Sequence, residues 1–445
     1  MKISLSAALA VTLILTLTAC GSTTGGDWIS EDMVVGTQVV TIPKDGQETA
    51  AKSENTTAAD GETDKSGQHG EKTEQIGGGT TVKGSTTADS WATTAGQIRT
   101  RKTITQKTTK PVETTVDHTV YNKMNATVGK LVSDQKLLAH GRAAVVGDQF
   151  QMDWVNTGFE IKGKLCGTIS VTAVNDREDT ILNVVVDDNQ PLEVHVAKGT
   201  REVTLVSNLP KGQHTVKVIN GTSIRLGTMA IKSVSWEGEL QKVSRTRLRI
   251  EVLGDSISCG WGMDGVNGRG YDYYNSSAKL AAISNSYYSY AAVAARKLNA
   301  DLSAVALCAQ TIPDVHSFFP TLNPRNGAPA WDFKNNQVDV VVINLGTNDE
   351  FQGIGEAKTL ANAKALLADV RKAYPKAHIV WVYGMIRKSY AAQYKQAINS
   401  MKDDNTSYLD LSAYQNGDGF EAHPSRAANE TAGIALANYI KRNCI

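Results

Sequence analysis

The chain has 445 residues, 41% of them hydrophobic, which is enough for two or three domains with cores of their own. Its 46 Lys and Arg against 45 Asp and Glu leave a formal charge of +1. That balance argues against a nucleic-acid-binding protein, which normally needs a concentrated positive surface.

Met1-Lys2 gives a positive start, the segment from Leu5 to Ala19 is apolar with interspersed Ser and Thr, and it closes as Leu17-Thr18-Ala19-Cys20. This is the pattern of an export signal. An apolar run ending in small residues and a cysteine resembles a bacterial lipoprotein signal. The resemblance implies removal of residues 1–19, lipidation of Cys20 and a place in the bacterial cell envelope outside the cytoplasm. An ordinary signal peptide with a chance cysteine is the other reading. No second apolar segment is long enough to span a bilayer, so the body of the protein is expected to be soluble and tethered. Residues 20–115 are rich in Thr, Gly, Ser and charge, as in ENTTAADGETDKSGQHGEKTEQ. They offer too little apolar surface to offset the entropy of ordering them and read as a flexible stalk. The patch MVVGTQVVTI, residues 33–42, alternates weakly and is left unassigned.

Between residues 116 and 246 the rhythm is short and strand-like: FQMDWVNTGFEI, GTISVTAV, ILNVVVDD, LEVHVAKG, REVTLVSNL, HTVKVIN and MAIKSVSWEG, divided by Gly, Asn, Asp and Pro. Many strands without a helical period predict a β-sandwich of jelly-roll type. Trp154 follows a strand-like alternation and reads as core rather than as a ligand platform. From residue 247 to 445 strands alternate with helices: LRIEVLG, LSAVAL, DVVVINLG, AHIVWVYG and SYLDL are strands, while SYAAVAARKLNA, LANAKALLADVRKAYP, YAAQYKQAINSMK and residues 426–442 are helices. That alternation predicts a three-layer α/β domain with a mostly parallel sheet, whose chemistry gathers at the carboxyl ends of the strands.

Three short strings sit where that rule wants them. In GDSISCG, residues 254–260, Gly254 permits a tight turn and Ser256 emerges at the start of a following helix; as a purely structural element, Asp255-Ser256 would only cap that helix. GTND, residues 346–349, follows a strand and offers the Asn348 amide to an oxyanion, or merely closes a turn. His423 precedes Pro424 just before the last helix, and alone it would be one more loop histidine. Their order and placement together are hard to reach by accident.

These blocks resemble the GDSL or SGNH hydrolases, which begin with GDS, include GTND and end with His-Pro. With the strand-rich region upstream, the resemblance is closest to carbohydrate esterase family 2, bacterial enzymes that remove O-acetyl groups from plant cell-wall polysaccharides. HGRAAV at 140–145, WVNTGFEIKGKLCGT at 154–168, VVVDD at 184–188 and LPKGQHTV at 209–216 look like that family's sandwich. The resemblance implies Ser256 as nucleophile, His423 as general base, and an oxyanion site formed by the backbone N–H of Ser256, the side chain of Asn348 and one further backbone N–H. The family takes that donor from a glycine. Here Cys308-Ala309 stands in place of a Ser-Gly pair, so Ala309 is the expected donor. A left-handed backbone at Ala309 would cost about 1 kcal/mol or slightly more.

The usual SGNH pattern places Asp three residues before the histidine, and here that position is Phe420. Glu421 and Asp418 are the nearby carboxylates. Some members of the resembled family hold the histidine with a backbone carbonyl, and the same is expected for His423, with Glu421 the side chain next in line. Trp331 and Trp261 are candidate platforms for a sugar ring, with packing beneath a loop as the structural reading of Trp331. His140, His195, His214 and His316 lack metal-ligand spacing, and GWGMDGVNGRG lacks the spacing of a nucleotide loop, so no metal or cofactor is expected. Cys166, Cys259, Cys308 and Cys444 suggest no particular pairing. The expected function is hydrolysis of O-acetyl esters on xylan or glucomannan through an acetyl-enzyme, by a monomer. A non-catalytic glycan-binding envelope protein and a lipase-like SGNH esterase are the alternatives.

Overall fold

The computed structural model describes residues 121–445 except residue 247; the expected signal peptide, Cys20, the stalk and the patch at 33–42 lie outside the described residues. Two sheets organise the described part, and both belong to one compact unit. The first sheet contains β1 (Lys123–Thr127), β2 (Leu138–His140), β3 (Ala144–Val146), β4 (Gln149–Gln151), β5 (Gly158–Val186), β6 (Leu192–Asn220) and β7 (Met229–Gln241), with α1 (Val128–Ser133) after β1. Its path is β2-β5-β7-β4-β3, with β1 on β7 and β6 on β5, all antiparallel.

Strands β5 and β6 are 29 residues each, far beyond the usual length of about 5–6. Strands of that length must bend, and register breaks between Leu165 and Gly167 and between Asn175 and Asp179 mark where β5 does so. The sheet therefore curls back until Val218 pairs with both Phe159 and Val184. What the sequence presents as separate strand strings, such as GTISVTAV and ILNVVVDD, are parts of one bent strand. Phe159, Ile161, Leu182, Val184, Val216 and Val218 are fully buried inside this half-barrel.

The second sheet contains β8 (Arg249–Gly254), β9 (Asp301–Ala306), β10 (Val340–Asn344), β11 (His378–Tyr383) and β12 (Thr406–Asp410), in the order β12-β11-β10-β8-β9 with every pair parallel. Helices α2 (Ser277–Ala282), α3 (Tyr290–Lys297), α4 (Ile312–Phe318), α5 (Thr347–Phe351), α6 (Glu356–Ala373), α7 (Ala391–Met401) and α8 (Arg426–Asn443) occur in the connections and at the chain end. Alternate strand residues feed two cores. Val252, Ala304 and Val342 pack with α3 and α8, whereas Leu253, Val305, Val341 and Ile343 pack with α4, α6 and α7. Both faces are covered, which is why the central strands β10 and β11 read as nearly continuous apolar runs. Each buried valine contributes roughly 1.5–3 kcal/mol, so Val342→Asp would break the layer from inside.

The chain leaves β8 toward β9 on one side and later returns to β10 on the other. Open α/β sheets bind ligands in the crevice at the carboxyl end of such a reversal. The amino end of the same sheet is clamped to the region around the first sheet. Arg142, fully buried, grips Glu251 of β8 through two nitrogens at 2.5 and 3.2 Å and donates to the carbonyls of Phe319 and Thr321 at 2.6 and 2.7 Å. His140 meets Asp301 at 2.8 Å and Glu160 at 3.2 Å. Burial alone would depress its pKa, but the two carboxylates outweigh it and lift His140 to about 9.

Candidate active site

β8 ends on Gly254, where a Cβ would run into Ser258. Close approach, not a positive φ, is what demands glycine there. Asp255 is buried and accepts the N–H of Ile257 at 3.0 Å, closing a run of turns rather than the regular helix expected to start at Ser256. Burial, with the Asp349 charge adding to it, raises Asp255 to about 7. Ser256 is 7% exposed. Among the described residues its backbone N–H has no protein acceptor.

His423 reaches the same place from before α8. Its Nε2 lies 2.7 Å from Ser256 Oγ and its Nδ1 lies 2.9 Å from the main-chain oxygen of Phe420. A carbonyl oxygen only accepts, so Nδ1 carries the proton and Nε2 is left to accept from the serine hydroxyl. Phe420 thus occupies the acid's position in sequence and supplies the orienting group from its backbone. Its ring is 1% exposed and packs edge-on against Tyr271 and Tyr274 at 5.1 and 4.8 Å, and its N–H donates to Gly262 at 2.8 Å. The next two residues, Glu421 and Ala422, adopt left-handed φ of 54° and 58°, turning the chain so that the Phe420 carbonyl faces the imidazole. Burial depresses the His423 pKa, partly opposed by the Phe420 carbonyl and the Glu421 charge. The ring is therefore neutral at pH 7 and able to take a proton.

Neither candidate carboxylate touches the histidine. Glu421 accepts from Trp261 Nε1 at 3.3 Å, and its charge acts on the Tyr271 phenol. Asp418 is exposed and accepts from Asn416 at 2.8 Å. After β9, Ala309 holds the left-handed conformation, φ 63°, that a glycine would hold without strain. Among the described residues its N–H has no protein acceptor either. After β10, Gly346 at φ 116° starts α5, and a Cβ there would collide with Tyr394. Asn348 in that short helix donates one amide hydrogen to the Gln310 carbonyl at 2.9 Å, which ties it to the Ala309 loop and leaves its second hydrogen for another acceptor. Ser256, His423, Ala309 and Asn348 converge from four segments at the carboxyl end of the sheet.

The two tryptophans lie elsewhere. Trp331 stacks on the buried Arg142 at 5.2 Å and lines a small void with Arg249, Asp301 and Val338 at the amino ends of the strands, the end away from Ser256. Its place follows from the loop that returns to the start of β10, so it offers no platform beside Ser256. Trp261 is 2% exposed and belongs to the core under the site, leaving no open face for a sugar. Trp154 is a core residue as expected, but it sits in the bend between β4 and β5 and packs with Leu253, Val305 and Phe318 of the second sheet's core, fully buried and donating to the Leu322 carbonyl at 3.0 Å. The Phe420 carbonyl carries no sequence signal, because every residue has one. Arg225 and Ser223, which reach this end of the molecule from the first sheet, are equally silent in sequence: Arg225 stacks on Trp261 at 5.3 Å and Ser223 meets Cys308 at 3.6 Å.

Residues 252–431 match the GDSL-like lipase/acylhydrolase family and residues 139–242 match the carbohydrate esterase 2 N-terminal family. The chain belongs to the SGNH/GDSL hydrolase superfamily, a family of serine-based ester hydrolases. Within that superfamily its fold and homology are those of carbohydrate esterase family 2. It is 27% identical over 307 residues to the cellulase/esterase CelE of Acetivibrio thermocellus, covering 64% of this chain and 37% of that longer protein. It is 24% identical over 328 residues to an acetylxylan esterase/glucomannan deacetylase of Cellvibrio japonicus, covering 68% of this chain and 87% of the relative. A solved family two carbohydrate esterase from Clostridium thermocellum, in complex with cellohexaose, superposes with a TM-score of 0.62 at 26% identity, over 69% of this chain and 98% of that one.

Proposed function

We propose that the protein removes O-acetyl groups from plant cell-wall polysaccharides of the xylan or glucomannan type. The observation that carries this reading is the line from Ser256 Oγ through His423 to the Phe420 carbonyl, at 2.7 and 2.9 Å. Ser256 attacks the acetyl carbonyl while His423 Nε2 takes its proton. The oxyanion is met by the N–H groups of Ser256 and Ala309 and by the Asn348 amide. His423 then protonates the departing sugar oxygen, and water repeats the cycle on the acetyl-enzyme. The Phe420 carbonyl fixes the tautomer without a negative charge, so the imidazolium is less stabilised than in a triad. The relatives' names, an acetylxylan esterase/glucomannan deacetylase and a structure holding cellohexaose, support a polysaccharide as substrate. The protein works as a monomer tethered by a lipid on Cys20 to the outside of a bacterial membrane.

Acetate release from acetylated xylan and glucomannan by wild type and Ser256→Ala tests the reading. Ser256-dependent release is expected from at least one of them. Glycan binding without release would instead favour a binding protein, and preference for long acyl esters over acetyl would favour a lipase.

A further inference from the structure

The turn between β6 and β7 carries the first sheet up to the loops of the active site. The single-turn 3₁₀ helix Ile224–Leu226, between β6 and β7, is capped by Ser223, whose hydroxyl accepts the Arg225 N–H at 3.4 Å. The same hydroxyl lies 3.6 Å from Cys308 Sγ, the residue before Ala309. The Arg225 guanidinium lies over the Trp261 ring at 5.3 Å, in the loop that carries Ser256. Its charge and that of Glu421 both act on the Tyr271 phenol, so the three groups share one neighbourhood. One short turn therefore touches both the serine loop and the Ala309 loop.

Arg225 has a property that its contacts do not use. It is only partly buried, yet among the described residues none of its guanidinium nitrogens donates to a protein acceptor and none is ion-paired with a carboxylate. Five planar N–H donors on a guanidinium that lies over a ring and stays partly exposed form a ready donor set for a ligand. Glu421, exposed, places a carboxylate in the same neighbourhood. The local charge is thus close to balanced, which favours hydroxyl oxygens over an acidic group as the acceptors.

Resting on the deacetylase reading, we infer that Arg225 is a specificity-determining residue supplied by the first sheet, donating to hydroxyl or ring oxygens of an uncharged sugar next to the acetylated one. The first sheet thereby forms part of the substrate site, and a small ester that stops at the acetyl group does not engage it.

The test compares wild type, Arg225→Met and Arg225→Lys on acetylated glucomannan, on an acetylated xylan bearing uronic acids, and on a small aryl acetate. Methionine keeps an apolar stem over Trp261 and removes every donor. The expected result is a polysaccharide KM raised about 10-fold relative to the KM for the aryl acetate, with kcat moving much less, and partial recovery in the lysine variant. Equal changes in KM on all three substrates would reduce Arg225 to a cover for Trp261 and overturn the inference. A loss confined to the acidic xylan and abolished by salt would overturn the choice of an uncharged sugar. If wild type cleaves the aryl acetate but releases no acetate from either polysaccharide, the deacetylase reading falls and this inference with it. If wild type releases acetate and Arg225→Met keeps its KM, only this inference falls.

Discussion

The two ends of the parallel sheet are built on opposite terms. At the amino end, charged groups are buried and matched: Arg142 with Glu251, and His140 with Asp301 and Glu160. At the carboxyl end, Ala309, Glu421 and Ala422 hold left-handed backbone, and among the described residues Asp255 and Asp349 each bury an oxygen without a partner and the N–H groups of Ser256 and Ala309 stay open. The contrast teaches where stability and chemistry have been separated. One end matches its buried charges and fixes the sheet against its neighbour; the other gathers left-handed backbone and open N–H groups where an ester would sit.

If that division holds, substitutions at the carboxyl end change rates and those at the amino end change stability. The largest effect is expected for Ser256→Ala and His423→Ala, each lowering kcat/KM on an aryl acetate by about 10⁴-fold or more with little change in thermal midpoint. At the other end, Arg142→Met strands the buried Glu251 charge and should cost about 3–5 kcal/mol in denaturant unfolding. The paired change with Glu251→Met should recover most of it, and a large loss of kcat in the well-folded double variant would break the comparison.

His140 provides a pH test of the same end. Its folded pKa, about 9, lies above its unfolded value, so its contribution is fully present below about pH 6.5 and is lost as pH rises through 9. Urea unfolding should show a decline of roughly 3 kcal/mol across that window, and His140→Gln should flatten it. Smaller again is Ala309→Gly, which relieves a left-handed alanine at the expense of extra freedom in the unfolded chain; a net gain of up to about 1 kcal/mol is expected with activity retained. The smallest effects belong to Glu421→Gln and Asp418→Asn, each expected to change kcat by less than about 3-fold because neither carboxylate meets the imidazole. A loss in either approaching that of His423→Ala would show a carboxylate acting where the geometry has a carbonyl.

Much of this was written in the sequence. The apolar runs VVVIN of β10 and HIVWVY of β11 read as doubly covered strands, and the strings GDS, GTND and His-Pro each followed a strand or preceded the last helix, as a site at the carboxyl edge requires. The left-handed backbone foreseen as a cost at Ala309 is found there. Trp331 and Trp261 resisted such reading, because an indole at a loop looks the same in sequence whether it faces a ligand or packs on Arg142 or under a core. The sheet that curls through bulges was equally hidden, since turn residues interrupt the strand strings while the hydrogen-bond ladder continues across them.

The sequence by itself determined the two sheet types and brought forward Ser256, Asn348 and His423, because periodicity and local strings are properties of neighbouring residues. Only the tertiary structure decided that Phe420 holds His423 with its carbonyl and that Arg225 arrives beside Trp261 from the other sheet. The first depends on two consecutive left-handed residues and a buried ring, the second on contact between segments 36 positions apart in the chain. Neither leaves a mark in residue type or spacing, since a backbone oxygen is common to every residue and a long-range contact is fixed only when the whole chain packs.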